Sequence, residues 1–264
     1  MERSPLDADL LARNVDGELR FFSAVEVVES TGSTNADLVA RAADSSADRL
    51  VLIAESQERG RGRHDRQWVS PPRAQIAMSL LVRARGIDPA VLGWLPLLTG
   101  VAVVDAVRAA TGVKAILKWP NDVLVDGRKL AGILAEIAAV GVDPAVVVGV
   151  GLNVSLTEAE LPVSHATSLV LSGVADPDRT AVVTAMLREF ARRFIAWEAA
   201  NWDITELAAA YRERCSTIGS EVRAELPGGE VITGVATGVD EHGRLLIGDR
   251  AVSAGDVTHL RAEY

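Results

Sequence analysis

Two lysines, an aspartate and a knot of arginines carry most of the chemistry this sequence can offer. Lys118 opens "KWPND" and Lys129 sits in "GRKLAG", with Asp122 between them. Asp126-Gly127, between two apolar runs, is a two-residue hairpin signal. In that hairpin Leu124 faces Lys129. Two-residue alternation then puts Lys118, Asp122 and Lys129 on one face, provided Pro120 leaves the first strand in register. Two ammonium groups brought together repel unless an anion lies between them, and a phosphate suits the gap. Asp122 would then hold a magnesium ion or attract an incoming amine. The plainer alternative is an edge-strand lysine beside an ordinary turn.

The stretch "ERGRGRHDRQW", Glu58 to Trp68, places four arginines and two glycines in eleven residues. Glycine allows a close backbone approach to a ligand, and arginine presents a planar fork of donors to carboxylate or phosphate. Disordered Arg-Gly segments repeat in polar surroundings, whereas this one occurs once between two apolar runs, "LVLIAES" and "AQIAMSLLVRA". The pattern reads as an anion-binding loop, the alternative being a solvated turn.

The rest of the chain does not share that positive charge. Over 264 residues the formal net charge is -9, and 48% of residues are hydrophobic, ample for a core. The acidic balance argues against broad nucleic-acid or membrane-surface binding, which needs a basic field over a whole face. Cys215 is the single cysteine and the four histidines are dispersed, so there is neither a disulfide nor a zinc pattern. A reducing cytoplasm fits, and the N-terminus lacks the features of a signal peptide. The apolar stretch Pro89 to Val104 reads as a buried helix, too short to span a bilayer.

The elements that must position these residues follow from pattern. After about twenty poorly patterned residues, "FFSAVEVVES" is a first strand. A helix follows, with Thr34 and Asp37 as a capping box. Two apolar strands flank the arginine loop, and Asp88-Pro89 opens a long helix that stops near Gly112. After the Asp126-Gly127 hairpin, "AVVVGVGLNV" is a buried strand. Helical spacing returns between residues 180 and 215. From Ser216, short strands separated by "PGGE", "DEHGR" and "SAGD" suggest a small barrel of about five strands.

Other readings are weaker. "GVGLN" has an alternative as glycines packed against a helix. Neither a dinucleotide fingerprint nor a Walker-type loop occurs. Trp68, Trp94 and Trp119 read as core residues, and no hydrolase triad or reactive-cysteine setting is present.

Taken in order, "STGSTN", "Q-x-x-GRGR-x-x-R-x-W", "KWPND", "RKLAGILAE" and "GVGLN" resemble the biotin protein ligase family, from about Phe22 to the C-terminus. The resemblance implies an α+β fold. Its catalytic domain, residues 1–215, would be a class II synthetase-like mixed, largely antiparallel sheet flanked by helices. Residues 216–264 would form an SH3-like β-barrel. No N-terminal winged helix is expected, and hence no DNA binding. The implied activity is ATP- and Mg2+-dependent conversion of biotin to biotinyl-5'-AMP and transfer of the biotinyl group to a lysine of a biotin carboxyl carrier domain. The protein would work in the cytoplasm as a monomer or homodimer.

The resemblance also implies roles. Ser33, Thr34 and Gln57 would meet biotin's ureido ring, and backbone groups around Gly60 and Arg61 its carboxylate end. Lys129 would stabilise charge at the phosphorus and the acyl centre, and also belongs to the biotin site. Arg63 would bind the phosphate, and Lys118 the phosphate or pyrophosphate. Trp68, Asn121 and Asn153 would meet the nucleotide. Asp122 would meet the acceptor amine or a Mg2+ ion. Gly132 and Gly151 would leave room for the acyl chain and ring. The sequence departs from the family at Asp65, where glycine is usual, and at Arg59, where a small residue is usual. Asp65 would pair with Arg63 or Arg66, or stiffen the loop. Lipoate or octanoate ligation is the enzymatic alternative, disfavoured because an apolar acid would leave Ser33, Thr34 and Gln57 unpaired. An Arg-Gly-loop nucleic-acid adaptor is the non-enzymatic one.

Overall fold

A computed structural model describes residues 3–260 apart from 65, 227 and 254, so the expectation for Asp65 lies outside the described residues. The fold is α+β, as expected. A seven-stranded sheet comprises β1 (Ala24–Thr31), β2 (Leu50–Gln57), β3 (Gln75–Arg83), β4 (Ile116–Lys118), β5 (Asp122–Val125), β6 (Arg128–Ala139) and β7 (Ala145–Asn153). Its spatial order is β1-β2-β3-β7-β6-β5-β4. Among the described residues of this sheet, β1–β2 is the one parallel strand pair.

Strand alternation gives this sheet two different faces. On one, Val51, Ile53, Ile76, Met78, Val146, Val148 and Val150 join the main core under two long helices, α3 (Trp94–Thr111) and α4 (Arg179–Ala199). On the other, Leu52, Leu81, Ala145 and Val147 pack beneath the short helix α2 (Thr34–Arg41). This helix covers part of its face and leaves the remainder open.

Several expected boundaries shift. A short helix, α1 (Ala8–Arg13), capped by the Asp7 side chain, forms in the N-terminal stretch that shows little pattern. The cap of α2 is Ser33, whose Oγ accepts from the Ala36 amide, rather than the expected box built on Thr34. Asp37 instead accepts from the Thr31 hydroxyl at 2.5 Å, and Thr34 turns inward. Asp88 caps a single 3₁₀ turn, Pro89–Val91, before α3 begins. The run Pro89–Thr111 is long and apolar enough by itself to cross a membrane, contrary to the shorter stretch read from the sequence, yet most of it is buried within the fold. Pro96 lies in the first turn, where an amide has no helical partner. Asp105, within the helix, pairs with Arg193 and Arg214.

After α5 (Thr205–Arg214), β8 (Glu221–Glu225), β9 (Val231–Val239), β10 (Leu245–Ile247), β11 (Arg250–Val252) and β12 (Asp256–His259) form a five-stranded antiparallel sheet in the order β11-β10-β9-β8-β12. Trp94 and Trp119, both core residues, tie it to the larger sheet by donating through Nε1 to the Glu241 and Gly243 carbonyls at 3.0 and 3.1 Å.

One ion pair is deeply buried. Glu55 on β2 meets Arg179 at 2.6 Å, and the two side chains are 3% and 7% exposed. Arg179 also donates to the carbonyls of Gln75 and Ser4, while Glu55 accepts from the Leu6 amide. Removing one member of such a pair strands the other charge out of water, at a cost of about 3–5 kcal/mol. Arg179→Met should therefore lower the urea-unfolding free energy by about that amount, and the double variant with Glu55→Leu should recover a substantial part of the loss.

Candidate active site

The open part of the sheet is the floor of a cleft of about 720 Å³. Three paired rows form that floor. Gln75, Ala77 and Ser79 of β3 lie opposite Asn153, Gly151 and Gly149 of β7, and Gly151 and Gly149 lie opposite Gly132 and Leu134 of β6. The small residues at 77, 132, 149 and 151 continue the row that carries Leu81, Ala145 and Val147 beneath α2. That is why the cleft begins where the helix ends.

The hairpin after β5 forms in the expected register, with Leu124 opposite Lys129. Both turn residues have positive φ, 49° at Asp126 and 76° at Gly127. This is the signature of the tight turn favoured by strand twist. A bulge then follows, because Val123 pairs with Ala131 while Leu124 pairs with Lys129, leaving Leu130 as the extra residue. Leu130 turns into the core, so Lys129 and Gly132 emerge on the same face. Lys129 Nζ lies 2.5 Å from Asp122 Oδ1, so these two residues meet as expected. Lys118 opposes Asp122 across the β4–β5 pair and lines the cleft, with no ion pair among the described residues.

At the inner end, Ser33, Thr34 and Gln57 come together. Gln57 Oε1 accepts from the Thr34 amide at 2.9 Å and lies 3.0 Å from the Thr34 hydroxyl. Three residues that sequence reasoning passed over join them: Asn35, Ser79 and Glu136. Two-residue spacing from Gly132 marks the strand face of Glu136, and Ser79 shares its face through pairing with Gly149, but no local pattern marks Asn35 as inward-facing.

The arginine loop folds over the cleft and is held by its own backbone. The Trp68 amide donates to the Gly60 carbonyl at 2.9 Å and the Gly62 amide to the Arg66 carbonyl at 2.7 Å. A Cβ at position 60 would lie 2.3 Å from the Trp68 carbonyl, so that crossing requires glycine. Arg61 pairs with Glu136 at 2.9 Å. Arg63 donates to Asn121 Oδ1 at 3.1 Å and reaches the Gly255 carbonyl, and Arg66 pairs with Asp256. Burial draws the Arg63 guanidinium below the usual arginine range, opposed by the charges of Asp256 and Asp122. The Arg59 side chain lies outside the cleft, over Gly32.

Trp68 is not a core residue, contrary to the pattern reading. Its half-buried indole lies on Gly151 and Gly132, where an added Cβ would approach it to 2.4 and 3.1 Å, and Lys129 Nζ is 5.6 Å from the ring centroid. The space above these two glycines, expected for an acyl chain, is filled by this indole. Asn121 and Asn153 are part of the wall: Asn121 Nδ2 donates to the Ile133 carbonyl at 3.0 Å, and Asn153 Nδ2 to that of Thr167 at 2.9 Å.

Gly255, Asp256, Val257, Thr258 and His259 bring the second sheet to the cleft. His259 Nε2 lies 3.0 Å from the Thr217 hydroxyl, which accepts from the Trp119 amide. Burial, and then the Lys118 charge, hold His259 below the usual histidine range.

Residues 26–153 match the family described as "Biotin/lipoate A/B protein ligase family", which defines the class, and residues 217–260 match "Biotin protein ligase C terminal domain". The chain is 49% identical to a biotin--[acetyl-CoA-carboxylase] ligase of Mycobacterium tuberculosis, covering 98% of this chain and 97% of that protein. It is 30% identical to the bifunctional ligase/repressor BirA of Escherichia coli, over 92% of this chain and 73% of that one. The structure of a biotin protein ligase from Aquifex aeolicus in complex with biotin and ATP superposes with a TM-score of 0.75 at 26% identity, covering 91% of this chain and all of that one. The chain belongs to the biotin protein ligase family.

Two outcomes follow from the geometry. Gly151→Ala should drive the indole off the sheet and shift tryptophan emission to longer wavelength, and the same substitution in a Trp68→Phe background should leave emission unchanged. For His259, the unfolded chain takes up a proton near pH ~6.5 and the folded chain only at lower pH, so unfolding binds the proton in between. Its contribution to stability is complete above that value and declines as pH falls below it. Denaturation curves at pH 7.5 and 5.5 should therefore show a smaller loss for His259→Gln than for the parent.

Proposed function

We propose that this protein activates biotin with ATP, giving biotinyl-5'-AMP and pyrophosphate, and transfers the biotinyl group to a specific lysine of a biotin carboxyl carrier domain. The observation that carries the reading is the order of groups along one cleft. Buried hydrogen-bonding groups lie at the inner end, the Lys129–Asp122 pair lies midway, and Arg63 and Lys118 lie at the outer end. That order matches an acid with a polar ring, its carboxylate, and a nucleotide phosphate. A lipoate or octanoate would leave the inner polar groups unpaired, which disfavours the related ligase.

In the first step a biotin carboxylate oxygen bonds to the α-phosphorus as the bond to the bridging oxygen breaks, and pyrophosphate leaves with that electron pair. Lys129 and Arg63 stabilise the charge that develops there, with Lys118 toward the leaving pyrophosphate. In the second step the carrier lysine amine attacks the acyl carbon, AMP departs, and the amine releases a proton. Asp122 attracts that amine once Lys129 turns to the anhydride. Gly60 and Arg61 bound the carboxylate region, and Gly132 and Gly151 admit the acyl chain when the Trp68 indole swings toward the nucleotide. Asn121 and Asn153 shape the nucleotide wall. Closure of the loop excludes water from the anhydride.

Mg2+ arrives with ATP as part of the substrate. Among the described residues no group of three or more His, Cys, Asp or Glu side chains forms a metal cage. Mg2+ characteristically binds through one or two carboxylates plus substrate phosphates and water. Asp122 fits that requirement and would hold the ion, which supplies neutralising charge to the phosphates. We assign residues 1–215 to catalysis and 216–264 to a companion SH3-like domain. The acidic balance and single cysteine support a cytoplasmic protein without DNA or membrane partners, and we assign it as a monomer or homodimer.

The test incubates the protein with biotin, ATP, Mg2+ and a biotin carboxyl carrier domain and follows the intact mass of the carrier. One biotinyl increment is expected, with Lys129→Ala slower by about 10²–10³-fold, the usual cost of losing one such donor. An increment from lipoate or octanoate but not from biotin would sink the reading.

A further inference from the structure

The buried polar groups beneath the inner end of the cleft form a chain with one direction. Glu136 Oε2 accepts from Asn35 Nδ2 at 2.7 Å, and the same nitrogen donates to the Leu134 carbonyl at 3.1 Å. Two acceptors around Nδ2 fix the orientation of the Asn35 amide, since the flipped side chain would set oxygen against oxygen. Asn35 Oδ1 must therefore accept, and its neighbour is the Ser79 hydroxyl at 2.6 Å. Ser79 has one hydroxyl proton, and this contact uses it. The remaining contact, between the Ser79 and Thr34 hydroxyls at 2.7 Å, then takes its proton from Thr34. Thr34 in turn has none left for Gln57 Oε1, which the Thr34 amide satisfies at 2.9 Å.

The consequence lies at the cleft wall. With its proton directed inward, the Thr34 hydroxyl offers only lone pairs to a ligand. Gln57, whose oxygen is held by the Thr34 amide, offers its NH₂ group. Three members of the relay are close to fully buried, Thr34, Asn35 and Ser79 being 3%, 4% and 0% exposed, whereas the Glu136 side chain at its far end is 28% exposed. A Cβ at position 149 would lie 2.2 Å from Asn35 Oδ1, so only glycine lets that amide lie against the sheet. At the far end Arg61 of the loop pairs with the same Glu136 oxygen at 2.9 Å.

We propose that Glu136, Asn35 and Ser79 are positioning residues that set the polarity of the Thr34 hydroxyl, so that this wall selects a ligand ring presenting an N–H donor to Thr34. The inference rests on the reading that biotin's urea ring occupies this end. A urea offers an N–H beside a carbonyl, which complements an acceptor at Thr34 beside a donor at Gln57. A ring with oxygen in place of that N–H would set lone pair against lone pair in a buried site, an unsatisfied contact worth roughly 10–100-fold, or about 1.4–2.8 kcal/mol.

The experiment compares kcat/KM for biotin and for its two cyclic carbamate analogues, in each of which one ring N–H is replaced by oxygen. The protein should prefer one carbamate over the other by at least about tenfold, since only one keeps the N–H facing Thr34. In Ser79→Ala the Thr34 proton is released and can turn to the ligand. The preference should then fall to within about twofold, while kcat for biotin changes far less than KM. Asn35→Ala, which removes the acceptor of the Ser79 proton so that Ser79 can donate to Thr34, should narrow the preference too and serves if Ser79→Ala does not fold. Normal turnover of biotin with equal use of the two carbamates by the parent protein, or with an unchanged preference in both variants, would overturn this inference alone. Absence of biotin turnover by the parent would remove the functional reading and this inference with it.

Discussion

A β-strand sends alternate residues to opposite faces, and along β7 that rule decides where the protein can bind anything. Val146, Val148 and Val150 enter the main core, whereas Ala145, Val147, Gly149, Gly151 and Asn153 share the other face. The first two of these support α2. The glycines then stop filling space, and Ala77 and Gly132 on the neighbouring strands do the same. A sheet face normally buries itself against another layer. Here the layer is missing over a few residues, and the arginine loop supplies a cover made of Trp68 and guanidinium groups instead of a helix.

That arrangement places opposite demands on one stretch of chain. The long helices secure the sheet from its far side, so the exposed face can do without large side chains. The bulge at Leu130 solves a second problem, because strict alternation would put Lys129 and Gly132 on opposite faces. One extra residue brings both to the cleft and sends Leu130 to the core. The ammonium group and the space for a ligand are thus products of the same irregularity. Asp122 meets Lys129 across the pair, giving the ammonium a partner when no phosphate lies beside it.

Much of this was legible in the sequence, for identifiable reasons. Asp126-Gly127 fixes the hairpin because positive φ at both turn positions suits few other residues, and the Leu124–Lys129 register follows. The arginine loop stands out because its charge contrasts with an acidic chain. The bulge was not legible, since Leu130 suits a regular strand as well as an irregular one. Nor was the inward turn of Asn35, which depends on Gly149 approaching from a strand more than a hundred residues away. Trp68 misled for a related reason. Large aromatic residues are usually buried in a core, but this one is half-buried on glycines that the family resemblance assigns to ligand space. The Ser33 cap in place of Thr34 belongs to the same class, because Thr34 is drawn away by Ser79 and Gln57, partners invisible to local spacing.

The second sheet is joined to this chemistry through the loop. Its segment from Gly255 to His259 lines the cleft, and it receives Arg63 at the Gly255 carbonyl and Arg66 at Asp256. Arg61, on the other side of the loop, is tied to Glu136 of the large sheet. The loop is therefore held at both ends by charges on different sheets, and each contact is an exposed or half-exposed pair of the kind that contributes little by itself. Pairs of this sort hold the cover only weakly, because an anion in the cleft can compete for the same guanidinium groups. The deep contacts of Trp94 and Trp119 with the Glu241 and Gly243 carbonyls are of a different kind, buried and apolar around their hydrogen bonds. They join the second sheet, and with it the outer wall of the cleft, to the large sheet independently of the ion pairs of the loop.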